Sequence, residues 1–449
     1  MRNRYVMHWT VTEGMNQLPG AIVRRRVMAS FNWRPLRRPT RALEDPTLMP
    51  WRLFIARLPR RIVAQLLLPR FGRRIGTRPR SIDEVRHVAV VHWDSLGDAV
   101  LLGPVLRELR RTLPVARIVL VYNVKNHGVF ENCPYVDILR PQTVQRPSDG
   151  ISPHGAPISH WQRVRGAARI LAEEARSQGT IDLVIGPDWL DTVYGSTFFD
   201  SALSRAGNSR RFLKTSGFKS YEVEIRQHFV LRNLGILAVL GIHVENDHLE
   251  FWASDQDREI GRTLLAEVSS APLRIAIAPG ASESLRRWPA ERFIRVVDEI
   301  LAQRDVRFVL VGGDDVRPIV DAISPVDNEK FLDLVGFTTV GSLAVVLGGV
   351  DLLITNDSGP AHVAASVGTP TLVVSAHPVD AEPWVVGSPS RYRPWGVPSV
   401  VLQPANRLPP CDRETTCRAS MPHCILSVSV EDVVLAALEM LESAAETGT

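Results

Sequence analysis

HVAVVHWDSLGDAVLLG, residues 87–103, passes from an apolar run through a polar turn into a second apolar run. The first run, at 87–93, has the length and the unbroken apolar character of a strand that is buried on both faces. The second run opens a helix that we expect over 99–113. Apolar runs at 117–122 and 136–139 predict two more strands. This order of elements indicates the start of an α/β unit with a parallel sheet.

The second half of the chain repeats this alternation after a polar stretch at 243–257, which we interpret as a domain linker. Strands are predicted at 273–280, 307–313, 331–336, 351–355 and 370–375, and helices at 288–303, 342–347, 358–367 and 430–441. The sequence therefore predicts two α/β halves facing a cleft, and ligands of such folds bind beyond the carboxyl ends of the strands. The expected regions are an N-terminal extension (1–85), an N-terminal α/β domain (86–250) and a C-terminal α/β domain (251–449).

Positive charge is concentrated at the N-terminus. Residues 1–86 contain 19 arginines and five acidic residues, whereas the rest of the chain is net negative. Such a segment indicates an anionic partner. Within it, apolar side chains follow helical spacing with arginines beside them: Trp51, Ile55, Leu58, Ile62 and Leu66 form the stripe. Residues 51–71 could lie at an anionic membrane surface, pack on the body as a helix, or belong to a partly disordered arm. Because the body is negative, we do not expect nucleic acid as a partner.

The composition is that of a folded soluble protein, with 45% hydrophobic and 22% charged residues, and 449 residues imply two or three domains. The longest run of apolar residues and glycine, 234–242, is too short for a membrane-spanning helix, which needs about 20 residues. No secretory segment is evident, and four cysteines fit a reducing compartment. We therefore expect a cytoplasmic protein. The sequence lacks GxGxxG, GxxxxGK[ST], HExxH and GxSxG, so no dinucleotide fingerprint, P-loop, zinc-protease helix or hydrolase elbow is predicted.

The segment ITNDSGPAHVAASVGTP, residues 354–370, joins a predicted strand to a predicted helix. Asp357 or Ser358 is suited to cap this helix, and Gly359 would let a ligand approach the backbone. N–H groups at a helix start bind anions together with the helix dipole, most naturally a phosphate or diphosphate. His362, about one turn into the helix, could add a hydrogen bond. A well-capped helix with a histidine there by chance fits the same residues.

A second anion site is predicted by IAPGASESLRRWPAERF, residues 277–293. Ser282 lies in a glycine–serine turn at the end of a strand, and Arg286 and Arg287 follow it. Guanidinium groups bind phosphate in a bidentate fork, so the segment suits a phosphate clamp. Two solvated arginines in front of a helix are the alternative.

Asp98 closes the turn after the first predicted strand and opens the helix behind it. The helix dipole favours negative charge at this position. As a general base, Asp98 would need a substrate hydroxyl within hydrogen-bond distance. A helix-capping aspartate is the alternative interpretation.

Three cysteines lie close together near the C-terminus. Cys411, Cys417 and Cys424 are separated by five and six residues, and His423 is adjacent to the last. Zinc ligands are usually paired two to four residues apart. The spacing therefore favours free or packed thiols, with a metal site or a disulfide as the alternative.

Three segments now stand in order along the chain: motif 1 (90–114, VVHWDSLGDAVLLGPVLRELRRTLP), motif 2 (277–293) and motif 3 (354–370). With these motifs, residues 85–445 resemble glycosyltransferase family 9, the ADP-heptose:lipopolysaccharide heptosyltransferases. Each motif alone is moderately specific, and the three in order are strongly so. The resemblance implies the GT-B fold, an α/β architecture of two Rossmann-like domains facing across a cleft, with the nucleotide-sugar held mainly by the C-terminal domain.

The resemblance also implies an inverting sugar transfer, without metal or cofactor, from a nucleotide-sugar donor to a hydroxyl of a lipid-linked or cell-envelope glycan acceptor. Asp98 aligns with the family's proposed catalytic base. Donor and phosphate binding is assigned to residues of motifs 2 and 3: Ser282, Arg286, Asp357, Ser358, Gly359 and His362. Such an enzyme is expected in the cytoplasm, peripheral on the inner face of the cytoplasmic membrane.

Three features depart from the family pattern. Arg286 stands where the family usually has a lysine, which keeps the charge but changes the geometry. HPVD at 377–380 replaces the more usual Gly-[PA]-Thr-Asp. The N-terminal extension lies outside the family core. The alternative function is therefore a catalytically weak nucleotide-sugar-binding protein on the same fold, although such a protein would not need the carboxylate of Asp98.

Overall fold

The computed structural model describes residues 8–9, 82–143, 160–186, 213–214, 228–268, 270–323, 329–382, 387–409, 411, 419 and 421–447. The predicted amphipathic segment at 51–71 lies outside the described residues. Among the described residues, none of the helices combines the length and the hydropathy that a bilayer-spanning segment requires.

The described residues form 12 β-strands and 12 α-helices, besides short 3-10 helices. The strands are β1 (His8–Trp9), β2 (His87–His92), β3 (Arg117–Asn123), β4 (Ile138–Gln142), β5 (Leu183–Ile185), β6 (Leu213–Lys214), β7 (Arg274–Ala278), β8 (Arg307–Leu310), β9 (Phe331–Asp333), β10 (Leu352–Asn356), β11 (Thr371–Val374) and β12 (Ser399–Leu402). The α-helices are α1 (Leu96–Val100), α2 (Gly103–Thr112), α3 (His127–Phe130), α4 (His160–Gln178), α5 (Phe229–Val239), α6 (Asp255–Ala266), α7 (Ala290–Leu301), α8 (Arg317–Ile323), α9 (Val340–Leu347), α10 (Gly359–Ser366), α11 (Pro389–Tyr392) and α12 (Val430–Thr447).

The described strands form two β-sheets, one of five strands and one of seven. The N-terminal sheet has the order β4-β3-β2-β5-β6, and all its neighbouring strands are parallel. The C-terminal sheet has the order β1-β12-β11-β10-β7-β8-β9 and is parallel except for β1, which pairs antiparallel with β12 at the edge. The central strand β2 of the N-terminal sheet ends inside motif 1, and the strand β10 of the C-terminal sheet ends inside motif 3. The parallel α/β architecture expected from the sequence is confirmed.

Buried side chains fill both faces of the central strands. In β7, Ala276 belongs to one core and Ile277 to another, because successive side chains of a strand point to opposite faces. The core that contains Ala276 also contains Val88 of β2 and Leu353 of β10. Apolar packing is therefore continuous between the two sheets.

The predicted helix at 99–113 is wrong in its extent, because the structure forms two helices there. The first, α1, already begins at Leu96, inside the predicted turn, and α2 restarts at Gly103. Pro104 lies in the first turn of α2. A proline is tolerated there but not in a helix interior, so the break precedes it.

Several elements were missed by the sequence analysis, and α6 and β12 are two of them. The predicted linker at 243–257 already contains the start of α6, where Ser254 and Asp257 form a capping box. A serine followed three residues later by an acidic residue was the available signal. Strand β12 was also missed, although it is as long as the correctly predicted strand β11. The last helix also extends six residues beyond the predicted end, to Thr447.

Candidate functional site

Motifs 1 and 3 meet where β2 and β10 end. The helices that follow these strands, α1 and α10, pack against each other. Gly97 lies so close to His362 that a Cβ atom on Gly97 would overlap the imidazole ring. A Cβ atom on Gly359 would lie 2.8 Å from Cδ2 of Leu96, so the space beside this backbone is occupied by motif 1. The two glycines therefore permit the close approach of the two motifs.

Asp98 is held in place by the start of its own helix. Its Oδ2 accepts a hydrogen bond from the Ser95 backbone N–H at 3.0 Å and a second from the Ser95 hydroxyl. Asn126 is buried and donates from Nδ2 to the carbonyl of Asp94 at 2.9 Å, which fixes the turn. Both described hydrogen bonds of Asp98 use Oδ2. Capping and proton abstraction, the two interpretations of Asp98, are therefore compatible.

Asn356 joins motif 2 to motif 3. It is fully buried, its Nδ2 donates to the carbonyl of Pro279 at 2.6 Å, and its Oδ1 accepts from the Trp288 backbone N–H at 3.0 Å. These bonds fix the glycine–serine turn and the arginines of motif 2 relative to the start of α10. The sequence analysis missed Asn356. The signal that could have identified it is a polar residue ending an otherwise apolar strand, because a buried amide needs partners.

The two arginines of motif 2 have different environments. Arg286 Nη1 lies 3.7 Å from Oδ2 of Asp357, and its Nε lies 3.4 Å from Oε2 of Glu283. Arg287 donates from Nε to the carbonyl of Ala281 at 2.7 Å. Arg286 therefore faces the start of α10, whereas Arg287 braces the loop. This separation favours a clamp with one arginine.

Burial perturbs two titratable groups of motif 3. Burial raises the pKa of Asp357 to about 6; Arg286 opposes the rise, and the charges of Asp98 and Glu283 add to it. Burial lowers the pKa of His362 to about 4, against the opposing effect of Asp98. His362 is therefore neutral at physiological pH. Because both groups feel the charge of Asp98, its carboxylate lies near motif 3.

The two predicted serines lie at the edges of the site. Ser358 precedes α10 as its N-cap residue, but its hydroxyl makes no capping hydrogen bond and lies 3.4 Å from Oγ1 of Thr355. Ser358, one of the two predicted caps, is therefore the N-cap residue, but its side chain does not bond to the helix N–H groups. Ser282 is exposed in the turn that follows β7.

A basic and aromatic group beside Asp98 was missed by the sequence analysis. The guanidinium of Arg391 lies over the ring of Tyr392, 5.1 Å from its centroid, and Arg391 is 7% exposed. Burial raises the pKa of Tyr392 to about 12, and the charge of Asp98 adds to the rise. Burial and the charge of Arg391 lower the pKa of Arg232. These residues lie on α11 and α5, outside every motif, and no local pattern pointed to them.

The segment after β11 reaches Arg286. Burial lowers the pKa of His377 to about 4, and the charge of Arg286 contributes to the effect. Gly387 has φ of +87°, and a Cβ atom there would lie 3.4 Å from Oδ2 of Asp357. The HPVD departure from the family pattern therefore falls beside the arginine of motif 2.

Near the C-terminus, Cys411, His423 and Cys424 come together. One candidate ligand atom from each lies within 4.8 Å of the others. The two Sγ atoms are 3.7 Å apart, far beyond a disulfide bond of about 2.05 Å. Cys417 lies outside the described residues. These three side chains could hold a metal ion, apart from motifs 1 to 3.

The site formed by the three motifs suits one chemical task. Arg286 and the start of α10 provide positive charge and N–H donors for an anion. Asp98 provides a carboxylate beside them that can accept a proton. The anion site can stabilise a leaving group that gains negative charge. The carboxylate can take the proton of a hydroxyl that attacks beside it.

Comparisons with known proteins agree with this chemistry. The family model of glycosyltransferase family 9 (heptosyltransferase) matches residues 205–396. Lipopolysaccharide heptosyltransferase 3 of Escherichia coli strain K12 is 30% identical over 284 residues, a match that covers 62% of this chain and 78% of the relative.

Solved structures show the same fold. A glycosyltransferase of family 9 from Veillonella parvula DSM 2008 superposes with a TM-score of 0.60 at 22% identity, covering 80% of this chain and 98% of that one. ADP-heptose LPS heptosyltransferase II of E. coli gives a TM-score of 0.53 at 15% identity, covering 80% and 99%. The GT-B fold is confirmed.

Proposed function

The chain belongs to glycosyltransferase family 9 and is a glycosyltransferase, and on this basis we propose that it transfers a heptose from an ADP-heptose-type donor to a hydroxyl of a lipopolysaccharide-like or other cell-envelope glycan. The observation that carries the proposal is the packing of Gly97 on His362, because this contact joins the motif of Asp98 to the motif of Asp357. The names of the relatives, which include lipopolysaccharide heptosyltransferases, support the sugar and the acceptor class.

In the proposed mechanism, Asp98 is the general base. An acceptor hydroxyl is a poor nucleophile until a base takes its proton in the transition state, and a positioned carboxylate typically contributes a factor of about 10²–10⁴. The hydrogen bonds from Ser95 hold Oδ2 of Asp98 and thereby orient its carboxylate. The proton of the acceptor passes to Asp98 as the new glycosidic bond forms.

The donor diphosphate is the leaving group. It gains negative charge as the bond to the anomeric carbon breaks, and Arg286 with the N–H groups at the start of α10 would stabilise that charge. These groups belong to the chain itself, so the proposed mechanism uses neither a metal ion nor a cofactor. Attack from the face opposite the diphosphate in a single displacement inverts the anomeric configuration.

Positive charge beside Asp98 supports an anionic acceptor. Arg391 and Arg232 are both close enough to influence Tyr392, which also feels the charge of Asp98. A glycan acceptor with phosphate or carboxylate groups would be attracted to this side of the base.

We further propose that the enzyme works in the cytoplasm at the inner face of the cytoplasmic membrane. The arginine-rich N-terminal extension, with its apolar stripe at 51–71, supports contact with anionic lipid.

The experiment that tests the function is donor turnover by the purified full-length protein. ADP-, GDP- and UDP-sugars are first screened by thermal shift, because a ligand of the folded state raises the melting temperature. The ADP-heptose-type donor should stabilise the protein and, with a lipopolysaccharide-core acceptor, yield a product heavier by one heptose. Nuclear magnetic resonance of the product should show the inverted anomer. Donor binding without transfer over a broad acceptor panel would support the binding-protein alternative instead.

A further inference from the structure

The cysteine–histidine cluster lies apart from motifs 1 to 3. We propose that Cys411, His423 and Cys424 bind a structural zinc ion. This site is distinct from the sugar-transfer machinery, and the proposal stands whether or not the proposed reaction is correct.

The spacing of the two sulfur atoms fits a shared metal ion. Sγ of Cys411 and Sγ of Cys424 are 3.7 Å apart. Two thiolates bound to one tetrahedral zinc at about 2.3 Å lie about 3.8 Å from each other. A disulfide would require the two atoms to be about 1.7 Å closer than they are. The two sulfurs, which are in hydrogen-bond contact as thiols, therefore lie at a separation that two thiolates on one metal ion also adopt.

His423 is oriented as a metal ligand is. Its Nε2 lies 3.0 Å from the carbonyl oxygen of Pro409. A carbonyl only accepts hydrogen bonds, so Nε2 donates, and the neutral tautomer with this N–H has its lone pair on Nδ1. A metal-bound histidine usually donates its other ring N–H to a carbonyl or carboxylate, which fixes the tautomer.

The chemistry of the ligands favours zinc over Mg²⁺ and Ca²⁺. Two thiolates and one imidazole form a soft donor set, which suits zinc and does not suit Mg²⁺ or Ca²⁺. Structural zinc sites are closed, with four ligands, so one further donor completes the tetrahedron. Cys424 is 3% exposed, whereas Cys411 and His423 are half-buried, so the site lies at the edge of the C-terminal core.

The position of the cluster indicates what the ion would do. Cys424 opens a short 3-10 helix, Cys424–Ser427, whose Ile425 is fully buried in the C-terminal core. The next residue, Val428, accepts hydrogen bonds through its carbonyl from Trp288 Nε1 at 3.3 Å and from Arg292 Nη1 at 2.6 Å. A zinc ion would thus stabilise the segment Cys424–Val428, whose last residue is hydrogen-bonded to Trp288 and Arg292 of motif 2.

The test is the metal content of the purified full-length protein, measured by elemental mass spectrometry. Wild type and the control variant Cys133→Ser, which removes a buried thiol elsewhere, should each hold about one zinc ion per chain. Cys411→Ser, Cys424→Ser and His423→Ala should each bind zinc at least about tenfold more weakly. Equal zinc content in these variants and in wild type would overturn the proposal.

A second measurement covers the case in which the variants fail to fold. Wild-type protein is stripped with a chelator under reducing conditions and titrated with Co²⁺. A tetrahedral site with thiolate ligands should give thiolate-to-cobalt charge-transfer absorption, and Zn²⁺ should abolish it and raise the melting temperature. Folded wild type that takes up neither ion, or an intact mass showing a Cys411–Cys424 disulfide, would refute the zinc site.

Discussion

Gly97 packs directly against the imidazole ring of His362, with no room for a side chain between them. This contact joins the helix that presents Asp98 to the helix that begins beside Asp357. Since the pKa values of both Asp357 and His362 respond to Asp98, the junction also couples the proposed base to the proposed donor site electrostatically.

Adding a methyl group at this junction should separate the two motifs. We expect Gly97→Ala to destabilise the protein by about 1–3 kcal/mol, because overpacking forces neighbouring groups to shift, and to lower transfer activity. The control is Gly103→Ala, since a Cβ atom there would lie 3.6 Å from the Trp252 ring, an ordinary contact. Thermal unfolding and donor turnover measure both effects. Equal stability and activity for the two variants would show that the close contact at Gly97 has no consequence.

Asp357 should lower the stability of the protein at neutral pH. Its native pKa of about 6 lies above 3.8, the ordinary value for an aspartate, so the native state binds more protons than the unfolded state between these values. Stability due to this group is therefore lost as the pH rises from about 4 to about 6. Asp357→Asn should be more stable than wild type at pH 8, by on the order of 1–3 kcal/mol, and equal to it below about pH 4.

Melting temperatures of both proteins across this pH range test the prediction. An asparagine variant that is less stable than wild type at pH 8 would mean that the ion pair with Arg286 outweighs the cost of burial.

Arg286 should control donor affinity through its charge. Arg286→Ala is expected to weaken binding of the nucleotide-sugar by about 10- to 100-fold, because a charged hydrogen bond to phosphate is worth about 1.5–3 kcal/mol. Arg286→Lys should keep most of the affinity. Arg295→Ala is the control, an exposed arginine of α7 that pairs with Glu431 at 2.8 Å. Calorimetric titration gives the three affinities, and a similar loss for alanine at both positions would remove Arg286 from the donor site.

The N-terminal extension should bind anionic lipid. Deletion of residues 1–80 is expected to reduce flotation with vesicles that contain anionic lipid, because about 1 kcal/mol of attraction is lost per arginine near the surface. Neutral vesicles and high salt serve as controls, since screening weakens the attraction. Unchanged flotation of the shortened protein would rule out the extension as the membrane contact.

The sequence predicts the strand–turn–helix segments well because each rests on local signals. An apolar run, a polar turn and a second apolar run suffice to locate β2 and α1, or β10 and α10. Helix ends are less certain, and the break before Gly103 depends on Pro104, whose effect was overlooked.

Long-range contacts explain most of what the sequence could not supply. The role of Asn356 depends on two partners that lie about 70–80 positions earlier in the chain. Arg391 and Tyr392 approach Asp98 only after folding, and no local pattern marks them. The cysteine spacing argued against a metal site, yet folding brings Cys411 and Cys424 to 3.7 Å between their sulfurs. Local periodicity carries no information on such distances.

The central claim is that Asp98 acts as the base on an acceptor beside the donor diphosphate. Asp98→Asn keeps an oxygen that can accept from Ser95 and removes the basicity, so it separates capping from catalysis. The matched control is Asp257→Asn, because Asp257 has the same capping-box position with Ser254 in α6. We predict that Asp98→Asn lowers kcat by at least about 100-fold without weakening donor binding, and that Asp257→Asn keeps its kcat. A kcat of Asp98→Asn equal to that of wild type would contradict the account.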